Sequence, residues 1–423
     1  MILLVASLFI LFVASVPIAL ALGIASLATL TDLGIPFIAI PQVVFESLDS
    51  FSLMALPLYV LAGKLMQHGG IAERLVGVAK ALVSWVWGGL ASAVVMTSMM
   101  FATISGSSAA TAAAVGSMLI PEMEKQNYPR PFSAATTASS GELGVIIPPS
   151  VAMVIYGVIT GVSITDLFIA GLLPGLMIGA SLMTTAILIS WIMGYGQRQV
   201  FQPSLWLAEV GRAAWRASLS LLMPVIILGG IFGGIFTATE AAVVAVFYAL
   251  FLGIVVYGQL KLRDLPALFA SAAVTSSVVM IIVAFAAMFG FALHMLRAPQ
   301  EIGKLLATIT DNPIYFLLLV NLFLLIVGMF METFAAIVIL GPILSPIAVA
   351  YGIDPVHFGL IMIVNLAVGM VTPPVGVNLF IACGISRISM EELIRPLSVF
   401  LLVLIANLMV ITYVPSLSLV FLR

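Results

Sequence analysis

Charge is what this sequence has least of. Lysine, arginine, aspartate and glutamate make up only 8% of its 423 residues, against about a quarter in an ordinary soluble domain. A soluble globular protein is therefore excluded. Cysteine occurs once, at Cys383, which rules out an intramolecular disulfide and argues against a thiolate metal site. With a net charge of −2 there is no basic field for nucleic acid. His68, His294 and His357 lack metal-ligand spacing, and a surface or capping role is expected of each. No Walker-type phosphate loop occurs, which disfavours a primary pump. No nucleophile–base pair or metal cluster marks an enzyme. The run from Ile2 to Leu30 has no basic n-region and exceeds a signal-peptide core, so it reads as a spanning helix.

What the chain has instead is apolar residue, 63% of the total. The apolar positions come in long runs, not in alternation, which excludes a membrane β-barrel. The expected fold is an all-α integral membrane protein in the lipid bilayer. Spanning helices are predicted near 2–30, 50–67, 131–161, 167–194, 218–235, 239–258, 276–296, 357–385 and 396–421. Two further regions, about 88–124 and 313–350, are interrupted near their middles by Ser105-Gly106-Ser107-Ser108 and by Gly328-Met329-Phe330-Met331-Glu332-Thr333. Each reads as a re-entrant hairpin that enters and leaves on one side; a kinked spanning helix is the alternative.

Basic residues favour the hairpins. With a cytoplasmic N-terminus, Lys64, Arg74, Lys80, Lys125, Arg130, Arg198, Arg212, Arg216, Lys261, Arg263, Arg387 and Arg395 fall inside. Only Arg297, Lys304 and Arg423 fall outside, with the C-terminus, so twelve of the 15 basic residues obey the positive-inside rule. Treating either hairpin as a single span inverts everything downstream and spoils the bias.

Helix breakers recur at one spacing. The only two Pro-Pro pairs, Pro148-Pro149 and Pro373-Pro374, lie 225 positions apart. The same offset pairs Gly116 with Gly341, Pro121 with Pro346, Gly144 with Gly369 and Asp166 with Glu391. Such an echo marks an internal duplication, and breakers inside apolar segments point to a transporter's binding site. Lys125 and Arg130 follow the first hairpin, whereas their offset partners Ala350 and Pro355 are uncharged, so the repeats are expected to be inverted. Residues 1–195 form the first repeat, 196–216 a cytoplasmic linker and 217–423 the second repeat. Broken ends offer free carbonyls to a cation, while helix halves restarting at Ser107-Ser108, Ser150, Thr333 and Pro374 offer amides to an anion. The competing reading is that these small residues merely pack helices.

The stretches FATISGSSAATAAAVGSMLIP, GELGVIIPPS, FTATEAA, GIDPVHFG and MVTPPVGVNLF carry a resemblance that runs essentially from end to end. The chain resembles the large membrane subunit of TRAP transporters, the tripartite ATP-independent periplasmic family within the ion-transporter superfamily. The resemblance implies sodium-driven uptake of an organic acid, such as a sialic acid or a dicarboxylate, across the bacterial inner membrane. It also implies an elevator mechanism with scaffold and transport domains. A periplasmic substrate-binding protein and a small four-helix membrane subunit, expected to be a separate polypeptide, are the implied partners. Na⁺ is the implied co-substrate, with at least two sites that pair each tip with the neighbouring break. One set is Ser105, Gly106, Ser108, Gly144, Ile147 and Pro149. The other is Gly328, Met331, Glu332, Thr333, Gly369 and Thr372.

Ser107, Ser108, Ser150, Tyr156, Thr333 and Asn378 are the candidate substrate ligands. Glu332, at the second tip, is expected to serve an ion site or gate, and Glu240 to cap a helix. Glu142 has either a tuning or a packing role, and Asn365 is expected to be interhelical glue. Residues about 88–161 and 313–385 are expected to move as one body past the remaining helices. A stand-alone sodium/carboxylate carrier of the same superfamily is the alternative function, and a channel a further one.

Overall fold

Backbone amides and carbonyls in an apolar medium must bond within their own segment, and this chain meets that demand with helices. The computed structural model describes residues 2–196 and 202–422. Arg198 and Arg423, counted above on opposite sides of the membrane, lie outside the described residues. The first helices are α1 (Ile2–Val13), α2 (Ile18–Asp32), α3 (Ala39–Leu48), α4 (Ala55–His68) and α5 (Ile71–Val83). Next come α6 (Gly89–Ser105), α7 (Ser108–Lys125), α8 (Arg130–Gly141), α9 (Leu143–Ile146), α10 (Val151–Thr160) and α11 (Ile164–Met193). After the undescribed stretch follow α12 (Pro203–Arg216), α13 (Ser218–Phe232), α14 (Ala238–Leu250), α15 (Leu265–Met295) and α16 (Ala298–Ile309). The remainder comprises α17 (Pro313–Phe330), α18 (Thr333–Ala350), α19 (Pro355–Gly369), α20 (Val377–Ser386), α21 (Met390–Tyr413) and α22 (Ser416–Leu419).

Several boundaries differ from expectation. The apolar run 2–30 is two helices, because Ser15 turns left-handed at φ 58° and Pro17 forbids the preceding residue a helical conformation. The 196–216 linker contains a helix, α12, bent 66° from α13. The span expected at 276–296 starts earlier, at Leu265. The amphipathic helices α5 and α16, whose apolar stripes are too short to register as spans, were not expected. Among the described residues, six helices are long and apolar enough to cross a membrane, or up to nine if each bent pair is one span.

Helices recur at the offset of the Pro-Pro pairs. α7 and α18 are both 18 residues long and start 225 positions apart. α11 and α21, one position off that spacing, both begin after a serine, Ser163 and Ser389, whose hydroxyl accepts from the amide three residues on. Both interrupted regions fold back on themselves. Tyr351, just past α18, stacks on Phe316 near the start of α17 at 4.2 Å between ring centroids. Its hydroxyl donates to the Thr310 carbonyl at 2.8 Å. Tyr128, after α7, likewise lies beside the backbone of Leu90 and Ala91 at the start of α6.

Two packed groups emerge. α2, α3 and α4 gather around α15, with α14 on α4, whereas α6 to α10 pack with α17 to α20. α11 and α21 lie against the second group. Polar links run through the second group. Asn365 donates to the Asn321 carbonyl and side-chain oxygens at 2.9 and 2.7 Å, as interhelical glue should. Asn321 in turn donates to Thr412 Oγ1 at 3.0 Å. His357 is 2% exposed and bonds Ser418 Oγ and the Thr412 carbonyl. It is therefore a core residue and not the surface or capping group expected. Its polar partners sit 55 and 61 residues downstream, beyond the reach of a local pattern. Glu240 does cap: its Oε2 accepts from the Thr237 amide and hydroxyl at 2.8 and 2.9 Å.

The hairpin base is testable. Tyr351→Phe keeps the stack and loses one hydrogen bond, which contributes about 1 kcal/mol. Tyr351→Ala also loses the stack, roughly another 0.5–1.5 kcal/mol beyond buried area. Thermal unfolding in detergent should rank wild type above Tyr351→Phe and Tyr351→Phe above Tyr351→Ala; equal midpoints would refute the closure.

Candidate functional site: two hairpin tips against two broken helices

The first tip is built from a left-handed residue and two caps. Gly106 ends α6 at φ 59°, a conformation that costs glycine little. Ser107 is extended and caps α7 by accepting from the Ala110 amide. Ser105 Oγ lies 2.7 Å from Thr111 Oγ1, and the Thr111 hydroxyl donates to the Ser107 carbonyl at 2.8 Å. Three oxygens thus cluster at the tip. Gly144 of α9 lies directly beneath, where a Cβ would strike the Ser107 carbonyl and the Thr111 hydroxyl.

The first break runs from Ile147 to Ser150, between α9 and α10, with a cis bond between Pro148 and Pro149. The Val151 amide reaches across to the Gly106 carbonyl at 3.2 Å, joining tip and break. The Ser150 hydroxyl donates to the Val145 carbonyl at 2.6 Å and accepts from the Met153 amide. It therefore staples the two half-helices together. Ile147 packs on α11 at Gly175.

The second site repeats the plan with different chemistry. The Gly376 amide donates to the Met329 carbonyl at 3.1 Å, again joining break to tip. Gly328 and Gly369 meet backbone to backbone, and a Cβ on either would press the other's Cα. Met331 is extended, and half-buried Glu332 occupies the cap position of α18, where the helix end favours negative charge. Thr333 Oγ1 donates to Met370 Sδ at 3.0 Å. Thr372 Oγ1 donates to the Val368 carbonyl at 2.7 Å. A cis bond joins Pro373 to Pro374.

The halves meet at Asn378. Its Nδ2 donates to Ser108 Oγ at 2.6 Å, and its backbone amide donates to the Met370 carbonyl. Met370 takes the Thr333 hydroxyl, so Ser108, Asn378 and Thr333 form one chain of contacts between the two tips. The Asn378 Oδ1 is buried with no partner. Tyr156 stands apart from this chain: its hydroxyl reaches Ser345 Oγ and the Pro355 carbonyl. Of the six expected substrate ligands, five are buried and only Ser107 is partly exposed. Glu142 is fully buried, and neither carboxyl oxygen has a partner.

Thr111 was missed from the sequence, although it lies one helical turn beyond Ser107 on the same face. Also missed was a cleft of about 510 Å³ between α10, α15 and α18, lined by Thr160, Gly290, His294, Gly341, Pro342 and Ser345 among others. It opens between the two packed groups, away from the buried tips.

The oxygens gathered at the first tip suit a hard cation, and the chain's relatives fit a transport role. The family described as "Tripartite ATP-independent periplasmic transporter, DctM component" matches residues 5–417. The isethionate TRAP transporter permease DctMQ of Oleidesulfovibrio alaskensis is 43% identical over 410 residues, covering 97% of this chain. This chain spans 64% of that relative's length. The C4-dicarboxylate TRAP large permease DctM of Pseudomonas aeruginosa is 40% identical over 89% of this chain and 87% of its own. The sialic acid TRAP large permease SiaM of Vibrio cholerae is 39% identical, covering 93% and 92%. Among solved structures, the Alcanivorax borkumensis YdaH transporter superposes with a TM-score of 0.60 at 14% identity. That match covers 87% of this chain and 86% of the other, and supports the fold alone. With a match across nearly its whole length, the chain belongs to the DctM family of tripartite ATP-independent periplasmic transporter large permeases.

Proposed function

We propose that this chain is the transport subunit of a sodium-coupled, binding-protein-dependent importer of an organic acid anion in the inner membrane. The observation that carries the reading is the contact of each tip with its own break, Val151 to Gly106 and Gly376 to Met329, with Ser108 and Asn378 bridging the two. Residues of both repeats therefore converge on one place. Ser105, Thr111 and the Ser107 carbonyl supply oxygens for sodium at the first tip. At the second, the set is Gly328, Met331, Glu332, Thr333, Gly369 and Thr372. Ser107, Ser108, Thr333 and Asn378 are the anion-facing residues of this reading. Ser150 and Tyr156 hold the frame, since their hydroxyls are taken up by Val145, Met153, Ser345 and Pro355. A small membrane subunit and a periplasmic binding protein complete the assembly.

The movement in this reading is an elevator. α6 to α10 and α17 to α20 travel together, carrying α11 and α21 packed upon them, past the group around α15. The cleft between the two groups carries small residues at Ala286, Ala287, Gly290, Gly341 and Pro342 beside larger ones such as Leu293 and His294. The buried ligands accord with a site closed during the passage, which spares a bound anion the cost of facing lipid.

Sodium coupling is tested by Gly144→Ala, which drives a methyl group into the oxygen cluster, and by Thr111→Val, which removes one oxygen at nearly constant volume. Each should raise the sodium concentration for half-maximal uptake by about tenfold, the equivalent of about 1.4 kcal/mol, in proteoliposomes holding all partners. Unchanged sodium dependence in correctly folded Thr111→Val would exclude this tip. Movement is tested by the cysteine pair Gly290→Cys with Pro342→Cys, whose β-carbons face each other, in a Cys383→Ser background. Verified cross-linking should stop uptake, and reduction should restore it; uptake that survives the cross-link points instead to local gating. Labelling of introduced cysteines tests the orientation. Position 125 should react from the cytoplasmic side and position 297 from the periplasmic side, and labelling of both from one side would refute the inverted repeats.

A further inference from the structure

Far from both tips, α5, α12 and the end of the α14 span enclose a polar cleft of about 780 Å³. Its walls hold three guanidiniums, Arg74, Arg212 and Arg216, and two carboxylates, Glu73 and Glu209. Glu209, Arg212 and Arg216 fall at i, i+3 and i+7, so one face of α12 presents all three. Among the described residues, the ion pairs are Lys80–Glu122, Arg130–Glu124, Arg263–Asp264 and Lys304–Glu301, none of them in this cleft. Arg74 lies over the Tyr257 ring, 3.5 Å from its centroid, and donates to the Gly70 carbonyl. Arg212 donates to the Ala208 carbonyl at 3.2 Å. Charges of both signs thus stand in one cleft without pairing to each other.

The cleft sits where apolar spans end. Arg216 closes α12 just before α13, and Tyr257 follows the span Ala238–Val256. α12 has no buried residue, and its Leu207 and Trp215 are 67% and 83% exposed. A bent-off amphipathic helix with an exposed tryptophan belongs at a membrane surface. Val255, beside the cleft, is 69% exposed and continues the apolar wall toward the bilayer core.

We propose that this cleft binds a zwitterionic phospholipid headgroup of the phosphoethanolamine class. Arg212 and Arg216 take the phosphate, for which planar guanidiniums are suited. Glu73 and Glu209 take the primary ammonium, and an acyl chain follows Val255 and Val256. A purely anionic headgroup leaves both carboxylates facing phosphate. A quaternary ammonium has no N–H to donate to them, and free phosphate answers neither the carboxylates nor the apolar wall.

Native mass spectrometry of the purified full chain tests this, using phosphatidylethanolamine, phosphatidylglycerol and phosphatidylcholine of matched chains. Phosphatidylethanolamine should be retained over the other two. Arg212→Gln with Arg216→Gln should weaken its retention by about tenfold or more. Glu73→Gln with Glu209→Gln, which preserves shape and removes charge, should erase the preference over phosphatidylglycerol while lipid is still held. This second pair decides the matter if the arginine variant unfolds at a lower temperature. Equal retention of the three lipids, a preference for phosphatidylglycerol, or unchanged selectivity in the glutamine pair would overturn the proposal. Displacement by inorganic phosphate alone would also overturn it and make this a free-phosphate site.

Discussion

The structure depends on one constraint: a helix interrupted inside an apolar body leaves amides and carbonyls that no water can satisfy. Here each interruption answers the other. The Val151 amide restarts α10 by bonding to the Gly106 carbonyl, and the Gly376 amide before α20 bonds to Met329. Ser150 closes the remaining gap within the first break by holding Val145 and Met153 at once. A tip without its break, or a break without its tip, would leave polar backbone stranded. The two kinds of irregularity are therefore a single structural unit, made twice.

Close approach is the second requirement, and it explains where side chains are missing. Gly144 lies under the Ser107 carbonyl, and Gly369 lies against Gly328; at each, even a methyl group would push tip from break. The two units then diverge. The first gathers the hydroxyls of Ser105 and Thr111 with the Ser107 carbonyl. The second places Met331, Glu332 and Met370 in equivalent surroundings, softer and with one carboxylate. The two units share a backbone plan and differ in the donor atoms they carry.

Much of this was legible because helix breakers are rare and costly in apolar segments, so their repetition stands out. Pro148-Pro149, Pro373-Pro374, Ser105 to Ser108 and Gly328 to Thr333 marked the irregular points, and the structure brings each tip to its own break. Less was legible where a cue was short or distant. Ser15 and Pro17 split the first apolar run although composition is uniform across it. α5, α12 and α16 mix apolar and polar positions too finely to register as spans. His357 read as a surface group because Thr412 and Ser418 lie far along the chain. Tyr156 read as a pocket residue because the sequence does not reveal that α10 packs on α18.

The Asn378–Ser108 bond joins residues 270 positions apart, and this separation bears on how the molecule is made. A chain inserted from its N-terminus lays down α6 to α10 long before α20 exists. The first half must therefore wait in the bilayer with Ser108 lacking its partner and α7 lacking α20 beside it. Loop closure over so long a span is slow and comes late, so the centre of the protein is completed only as synthesis ends. A truncated product would insert, display every helix of its own half and still have no central site. Assembly of that site thus serves as a check on completeness, built into the order of the genetic message itself.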